Sequence, residues 1–203
     1  YGQVLRRLGQ LQEALNSYNR AIEIDPDHDW AWSGRGLTLS QLKQHEEAVF
    51  SFEKAIDLNP NDVWYRYNLA DERLSLNALD EALNALDEAL QINNRHVESW
   101  AKRGQVLRRL EKHDEALASF DLAVRLNPNY AWAWNGRGLT LKEMKRREEA
   151  LVSYERAAKE DPNIIWYYIN QVDILLEIQR RQDALEVIDQ ALENAPENAV
   201  LWA

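Results

Sequence analysis

The chain contains no cysteine, which excludes a disulfide framework and thiol chemistry and fits a reducing, cytoplasmic setting. Basic residues are in deficit, with 24 Lys and Arg against 34 Asp and Glu and a net charge of −10. Neutralising phosphates requires clustered cations, so nucleic-acid binding is not expected. No apolar run is long enough to span a bilayer, and no signal peptide is visible, so no membrane association is expected either. The four histidines, His28, His45, His96 and His113, are dispersed, and neither HExxH nor a glycine-rich phosphate loop occurs. Metal binding, cofactors and catalysis are therefore not expected. His45 and His113 share one phase of the repeat described next, which places them at turns between helices.

What the chain does have is a period. Prolines are few, and all five recur in one phase, at Pro26, Pro60, Pro128, Pro162 and Pro196, with Asn94 filling the gap. Two alanine phases never lapse: Ala14, Ala48, Ala82, Ala116, Ala150, Ala184, and Ala21, Ala55, Ala89, Ala123, Ala157, Ala191. A glycine phase reads Gly2, Gly36, Ala70, Gly104, Gly138, Val172. Trp134, Gly138, Leu141, Ala150, Tyr154, Ala157 and Pro162 return 34 residues earlier as Trp100, Gly104, Leu107, Ala116, Phe120, Ala123 and Pro128. A constant spacing of this size, carried by aromatic, glycine, alanine and proline in phase, marks a helical repeat array.

These residues resemble the tetratricopeptide repeat, a helix–turn–helix unit of 34 residues, and the resemblance runs the length of the chain. It implies an all-α, right-handed α-solenoid superhelix of antiparallel helix pairs. The expected single array comprises a partial unit at 1–28, units at 29–62, 63–96, 97–130, 131–164 and 165–198, and the start of another at 199–203. Because arrays need polar capping helices for solubility, the uncapped ends lead us to expect a fragment of a longer protein and self-association through those ends. A longer period overlies the short one. GQVLRRL at Gly2–Leu8 returns at Gly104–Leu110, and WAW…GRGLTL at Trp30–Leu39 returns at Trp132–Leu141, so the array reads as a duplicated three-unit block.

The pattern also places the helices. Expected first helices run from Asp29 to Leu42, Val63 to Leu76, Val97 to Leu110, Ala131 to Met144 and Ile165 to Ile178. Second helices run from Gln12 to Ile24, Glu46 to Leu58, Asp80 to Ile92, Asp114 to Leu126, Glu148 to Glu160 and Asp183 to Asn194. In each second helix a ring or aliphatic between two alanines, as in Ala48, Phe52, Ala55, forms an apolar stripe. Acidic pairs such as Glu46-Glu47 and Glu148-Glu149 suit the positive end of a helix dipole, and Arg6-Arg7 and Arg108-Arg109 suit the negative end. At Asn93-Asn94, which lacks proline, the turn is expected to use asparagine's tolerance of the left-handed region.

All eight tryptophans fall in two phases. Trp32, Trp100, Trp134 and Trp202 share the packing phase, with Tyr168 and Arg66 in the remaining places. Trp30, Trp64, Trp132 and Trp166 stand two residues earlier, a rotation of about 200° on a helix. In the family that this chain resembles, that face of the first helix lines a concave groove that binds peptides. The resemblance thus implies a peptide-binding set of Trp30, Trp64, Tyr67, Asn68, Asp71, Gln105, Arg109, Trp132, Asn135, Trp166, Asn170 and Asp173. Aromatics offer rigid contact area, Asn and Asp can pin an extended backbone, and tryptophan faces attract Arg or Lys. The competing expectation is that the Trp30 row wedges between adjacent first helices. A further groove row runs through Gly34, Asn68, Lys102, Gly136 and Asn170. The chaperone-tail carboxylate clamp of the family is not matched, because Ser33, Tyr67 and Ala101 stand where Lys is required. The function implied is a scaffold or adaptor that recognises a protein or peptide and is not itself an enzyme. The alternative is a regulatory or targeting arm of a larger enzyme, such as a protease, kinase or NTPase of a signalling or defence system.

Overall fold

A computed structural model describes residues Tyr1–Trp202; the side chain of Trp202 and the whole of Ala203, where the sequence places the start of a further unit, lie outside the described residues. Among the described residues every regular element is helical: α1 Gly2–Arg7, α2 Leu11–Ile24, α3 Asp29–Gln41, α4 His45–Leu58, α5 Val63–Ser75, α6 Leu79–Ile92, α7 Val97–Arg109, α8 His113–Leu126, α9 Ala131–Glu143, α10 Arg147–Glu160, α11 Ile165–Glu177, α12 Arg181–Asn194 and α13 Ala199–Trp202. The expected helices are all present. Their ends differ by one or two residues, because second helices start at His45, Leu79, His113 or Arg147, one turn residue earlier than the acidic pairs suggest. No side-chain cap marks those starts.

The chain divides into two compact segments, Tyr1–Lys102 and the residues from Arg103 on. In the first, α3 packs against α2 and α4, and α5 against α4 and α6. Leu39, Ala48 and Phe52 form one core cluster, with Leu15, Leu37 and Leu69 against it. In the second segment α9 lies against α8 and α10, and α11 against α10 and α12. Its main cluster gathers Leu141, Ala150, Leu151, Tyr154, Ile174 and Leu175. The alanine phases are at or near zero exposure throughout, from Ala14 to Ala191, apart from a half-buried Ala21. Small side chains at these points let helix backbones approach, and the intervening ring fills the space left over.

Glycine acts on both sides of each of two first helices. A Cβ on Gly36 would meet the Phe52 ring at 2.8 Å, and a Cβ on Gly34 would intrude on the Tyr18 ring of the preceding pair. Gly138 and Gly136 repeat this against Tyr154 and Phe120. The expectation that Gly34 and Gly136 line an open row is therefore corrected: both are buried against a ring.

The turn within each pair closes the same way. Gly9, Lys43, Asn77, Glu111, Lys145 and Gln179 all have positive φ, between 59° and 77°. The amide N–H three residues past the helix end donates to a carbonyl five residues back, as Gln44 to Leu39 and Arg146 to Leu141, both at 2.9 Å. This is the Schellman closure. Only one of the six residues is glycine.

The turn between pairs works differently. Asn93 ends α6 at φ −140° and ψ 96°, an extended conformation, and its Oδ1 accepts from the Arg95 N–H at 3.0 Å. Asp25, Asn127 and Asp161 accept in the same manner two residues on. The expected left-handed asparagine at 93–94 is thus wrong. The short side chain substitutes for a turn hydrogen bond, and no positive φ is needed.

Candidate functional site: an aromatic face on the first helices

The tryptophans of the packing phase bind their own turns. The indole N–H of Trp32 donates to the Pro26 carbonyl at 2.9 Å, that of Trp100 to Asn94 at 2.9 Å and that of Trp134 to Pro128 at 2.8 Å. Arg66, the exception in the sequence pattern, makes the same bond to the Pro60 carbonyl and pairs with Glu88 at 3.0 Å. A guanidinium N–H at the end of a long side chain reaches the position of the indole N–H, which explains how Arg occupies a tryptophan phase.

The tryptophans two residues earlier face the other way. Trp30, Trp64 and Trp166 are 50%, 47% and 65% exposed. Trp132 is half-buried instead, edge-on to Phe120 at 6.5 Å and beside Tyr130 at 6.0 Å. Trp132 thus packs on the second helix of the preceding pair and on the turn before its own helix, whereas the other three rings are open to solvent.

In the first segment the exposed face gathers around Trp64. Its ring stands edge-on to Tyr67 at 5.6 Å and to His96 at 4.5 Å, and Tyr67 meets His96 at 5.8 Å. His96 is 6% exposed, immediately before α7, and its Nδ1 accepts from the Ser99 N–H at 3.2 Å and lies 2.7 Å from the Ser99 hydroxyl. Accepting at Nδ1 puts the ring proton on Nε2, which lies 3.5 Å from Glu98. Burial lowers the imidazole pKa, with Glu98 and Asp62 pulling the other way. Asp62 caps α5, accepting from the Trp64 N–H at 2.8 Å. One turn along, Asp71 holds Lys102 at 2.6 Å, and the Lys102 ammonium stands over the Tyr67 ring, 5.6 Å from its centroid. Burial, with Asp71 and Glu98 adding to it, pushes the Tyr67 phenol up to about 12. Asn68 is half-buried beside this cluster. In the second segment Gln105 is half-buried, with an Oε1 that has no partner among the described residues, and Arg109 is exposed.

In the second segment Asn170 donates to Asn135 Oδ1 at 2.8 Å, linking α11 to α9. Asp173 lies 3.5 Å from Lys142, Glu177 takes Arg147 at 2.7 Å, and Glu143 takes Arg108 at 2.5 Å. Arg108 is thus an inter-helix ion-pair partner as well as a dipole-complementing cation. Several residues assigned here from sequence, Asp71, Asn135, Asn170 and Asp173, already hold neighbours.

Two features escaped the sequence reading. Arg35, Arg103 and Arg137 donate to Ser51, Ser119 and Ser153, at 2.5, 2.8 and 2.7 Å, each tying a first helix to its own second helix. The signal was present: where Arg gives way to Leu69 or Gln171, the partner serine gives way to Ala85 or Val187. Second, His45 opens α4 and reaches Glu72 of the next pair at 2.8 Å, and His113 opens α8 and lies 3.4 Å from Glu143. Both histidines are more than turn residues. No group of His, Asp or Glu among the described residues could hold a metal ion, and none of their helices is long and apolar enough to cross a membrane.

Tetratricopeptide repeat profiles match residues 2–43, 30–62, 67–131 and 131–164. The chain belongs to the tetratricopeptide repeat family, of the α-solenoid class. No curated protein matches the chain significantly. Among solved structures it is similar to PilW, described as a widely conserved type IV pilus biogenesis factor, with TM-score 0.87 and 18% identity over 99% of this chain and 93% of that one. It is also similar to YrrB, a TPR protein with an unusual peptide-binding site (TM-score 0.66, 23% identity, 91% and 95% covered). A third is MamA from Desulfovibrio magneticus RS-1 (TM-score 0.73, 18% identity, 84% and 97% covered). Identities of this size establish a common fold.

Proposed function

We propose that this protein is a scaffold that recognises an extended segment of a partner protein on the exposed face of its first helices. The observation that carries this reading is the half exposure of Trp30, Trp64 and Trp166 on helices whose other large apolar side chains are mostly packed away. A tryptophan loses about 1.5–3 kcal/mol by remaining in water instead of burying its surface. Trp30 and Trp64 in the first segment, and Trp166 in the second, each offer an exposed ring that a partner can cover, and such rigid rings make efficient contact sites. Asn68 on α5 and Asn170 on α11 stand on the same helices as Trp64 and Trp166 and carry amide groups of the kind suited to an extended backbone. YrrB, of the same fold, is described as having a peptide-binding site.

The test is selection of peptides from a random displayed library on the intact protein, followed by affinity measurement. Changing Trp64 and Trp166 to Ala together should weaken the selected peptides at least tenfold while the thermal midpoint shifts by only a few degrees. A large loss of stability with unchanged affinity would overturn the reading, because the rings would then serve packing alone.

A further inference from the structure

We infer that the exposed ring of Trp64 receives the cationic head of a lysine or arginine carried by the partner segment. This inference rests on the peptide-recognition reading above and names the chemistry that the site selects.

The first segment already contains a filled version of such a site. The Lys102 ammonium stands over the Tyr67 ring, 5.6 Å from its centroid, with the Asp71 carboxylate 2.6 Å from the nitrogen. Ring, cation and carboxylate complete one another there: the ring's quadrupole attracts the charge, and the carboxylate neutralises it. Trp64 is one turn away, touching Tyr67, with a larger and more electron-rich ring that remains 47% exposed. Two carboxylates belong to its surroundings: Asp62 caps its helix by accepting from the Trp64 N–H, and Glu98 lies 3.5 Å from His96, the ring that Trp64 meets edge-on. His96 itself contributes no charge near neutrality, since burial disfavours its protonated form. Trp64 therefore presents an open ring in an acidic neighbourhood, with no cation over it in the described contacts. A whole-chain charge of −10 favours approach of a basic segment. An aliphatic anchor would cover the Trp64 ring but would leave Glu98 partly desolvated with no counter-charge, which is unfavourable.

The experiment uses the intact protein and three fluorescein-labelled peptides of about ten residues, built of Gly and Ser with Arg, Leu or Glu at every third position. Binding is read by fluorescence anisotropy at physiological ionic strength. The arginine peptide should bind about tenfold more tightly than the leucine peptide, and the glutamate peptide should not bind, as a cation over a tryptophan face predicts. Trp64→Leu keeps apolar bulk and removes the π face; it should erase the preference for arginine. Trp64→Phe should keep part of it, and serves as the comparison if the leucine variant folds poorly by circular dichroism. Glu98→Gln should weaken the arginine peptide several-fold, whereas Glu46→Gln, the same charge change on the first turn of α4, should not. Equal effects of the two glutamate changes would mean general attraction to an acidic protein and would overturn the inference. Tighter binding of the leucine peptide, abolished by Trp64→Ala, would overturn it while leaving the recognition face intact. Binding indifferent to Trp64 and Trp166, or no binding of any peptide, would remove both.

Discussion

His45 Nδ1 lies 2.8 Å from Glu72 Oε2, and the Glu72 residue is only 3% exposed. Glu72 occupies the phase that elsewhere holds Thr38, Val106, Thr140 and Ile174, all of them buried. A carboxylate in a core position depends on its partner, because isolated burial of charge is far more costly than burial of a paired one. Changing His45 to Ala should therefore destabilise the protein by roughly 2 kcal/mol, somewhat less than for a fully enclosed pair because His45 retains partial access to water. Glu72→Val should be near neutral, and the double variant should recover the loss. Urea denaturation measures all three; a His45→Ala loss that persists when Glu72 is already Val would contradict the pairing.

Lys145 and Glu111 have φ of 62° and 59° at turns that Gly9 occupies without strain. The left-handed region costs a residue with a Cβ roughly 1–2 kcal/mol, and glycine returns part of that gain as unfolded-state entropy. Each change to Gly should raise stability by about 0.5 kcal/mol, and the two should add, since the turns are independent. A fall in the urea midpoint would show that the side chains contribute more than the backbone loses.

The fully buried Tyr154 has a hydroxyl with no hydrogen-bond partner among the described residues, and burial raises its pKa. Phe52 and Phe120 fill the same phase without one. Tyr154→Phe should leave stability unchanged or raise it by about 1 kcal/mol, since it removes a desolvated polar group. Tyr154→Ala should cost about 3–5 kcal/mol through the cavity it leaves. Thermal unfolding of the pair separates polar from packing effects.

His96 is held neutral by burial, with its pKa below the ordinary histidine value. In the unfolded chain the imidazole regains that value, so the unfolded state binds the proton more readily. The stabilisation is complete above a pH of about 6.5 and declines as pH falls below it. His96→Asn preserves a cap for the start of α7 and should flatten this part of the pH–stability curve. A wild-type curve with no downward bend between neutral and mildly acidic pH, or an unaltered bend in the variant, would sink the assignment.

Helix placement was legible because the alanine phases recur without interruption and the proline phase lapses once, at Asn94, and Asp25-Pro26 or Asn59-Pro60 ends a helix by local chemistry alone. The orientation of Trp30 relative to Trp32 was legible from helix geometry, and Trp30, Trp64 and Trp166 follow it. Trp132 does not remain open, because it lies edge-on to Phe120 and beside Tyr130, a neighbour that the rotation angle cannot foresee. The left-handed turns were invisible at Lys43 or Glu111, since backbone hydrogen bonds impose that conformation on residues with no preference for it. Gly34 was misassigned because its spacing matches a surface row, whereas its missing Cβ is what admits the Tyr18 ring. Nothing in the sequence marks Glu72 as a core carboxylate, because its partner His45 stands 27 residues earlier, on the preceding pair.

The fit of Tyr18 to Gly34 and of Phe120 to Gly136 constrains how the modules of this protein can be ordered. If the α3–α4 and α5–α6 pairs were exchanged, Tyr18 would face Asn68 in place of Gly34, and a side chain would project into the volume that the ring now fills. Ring and glycine are matched at these two junctions, whereas the buried rings of Phe52 and Tyr154 are followed by Asn68 and Asn170 in the same phase, so the two kinds of junction cannot be interchanged without repacking.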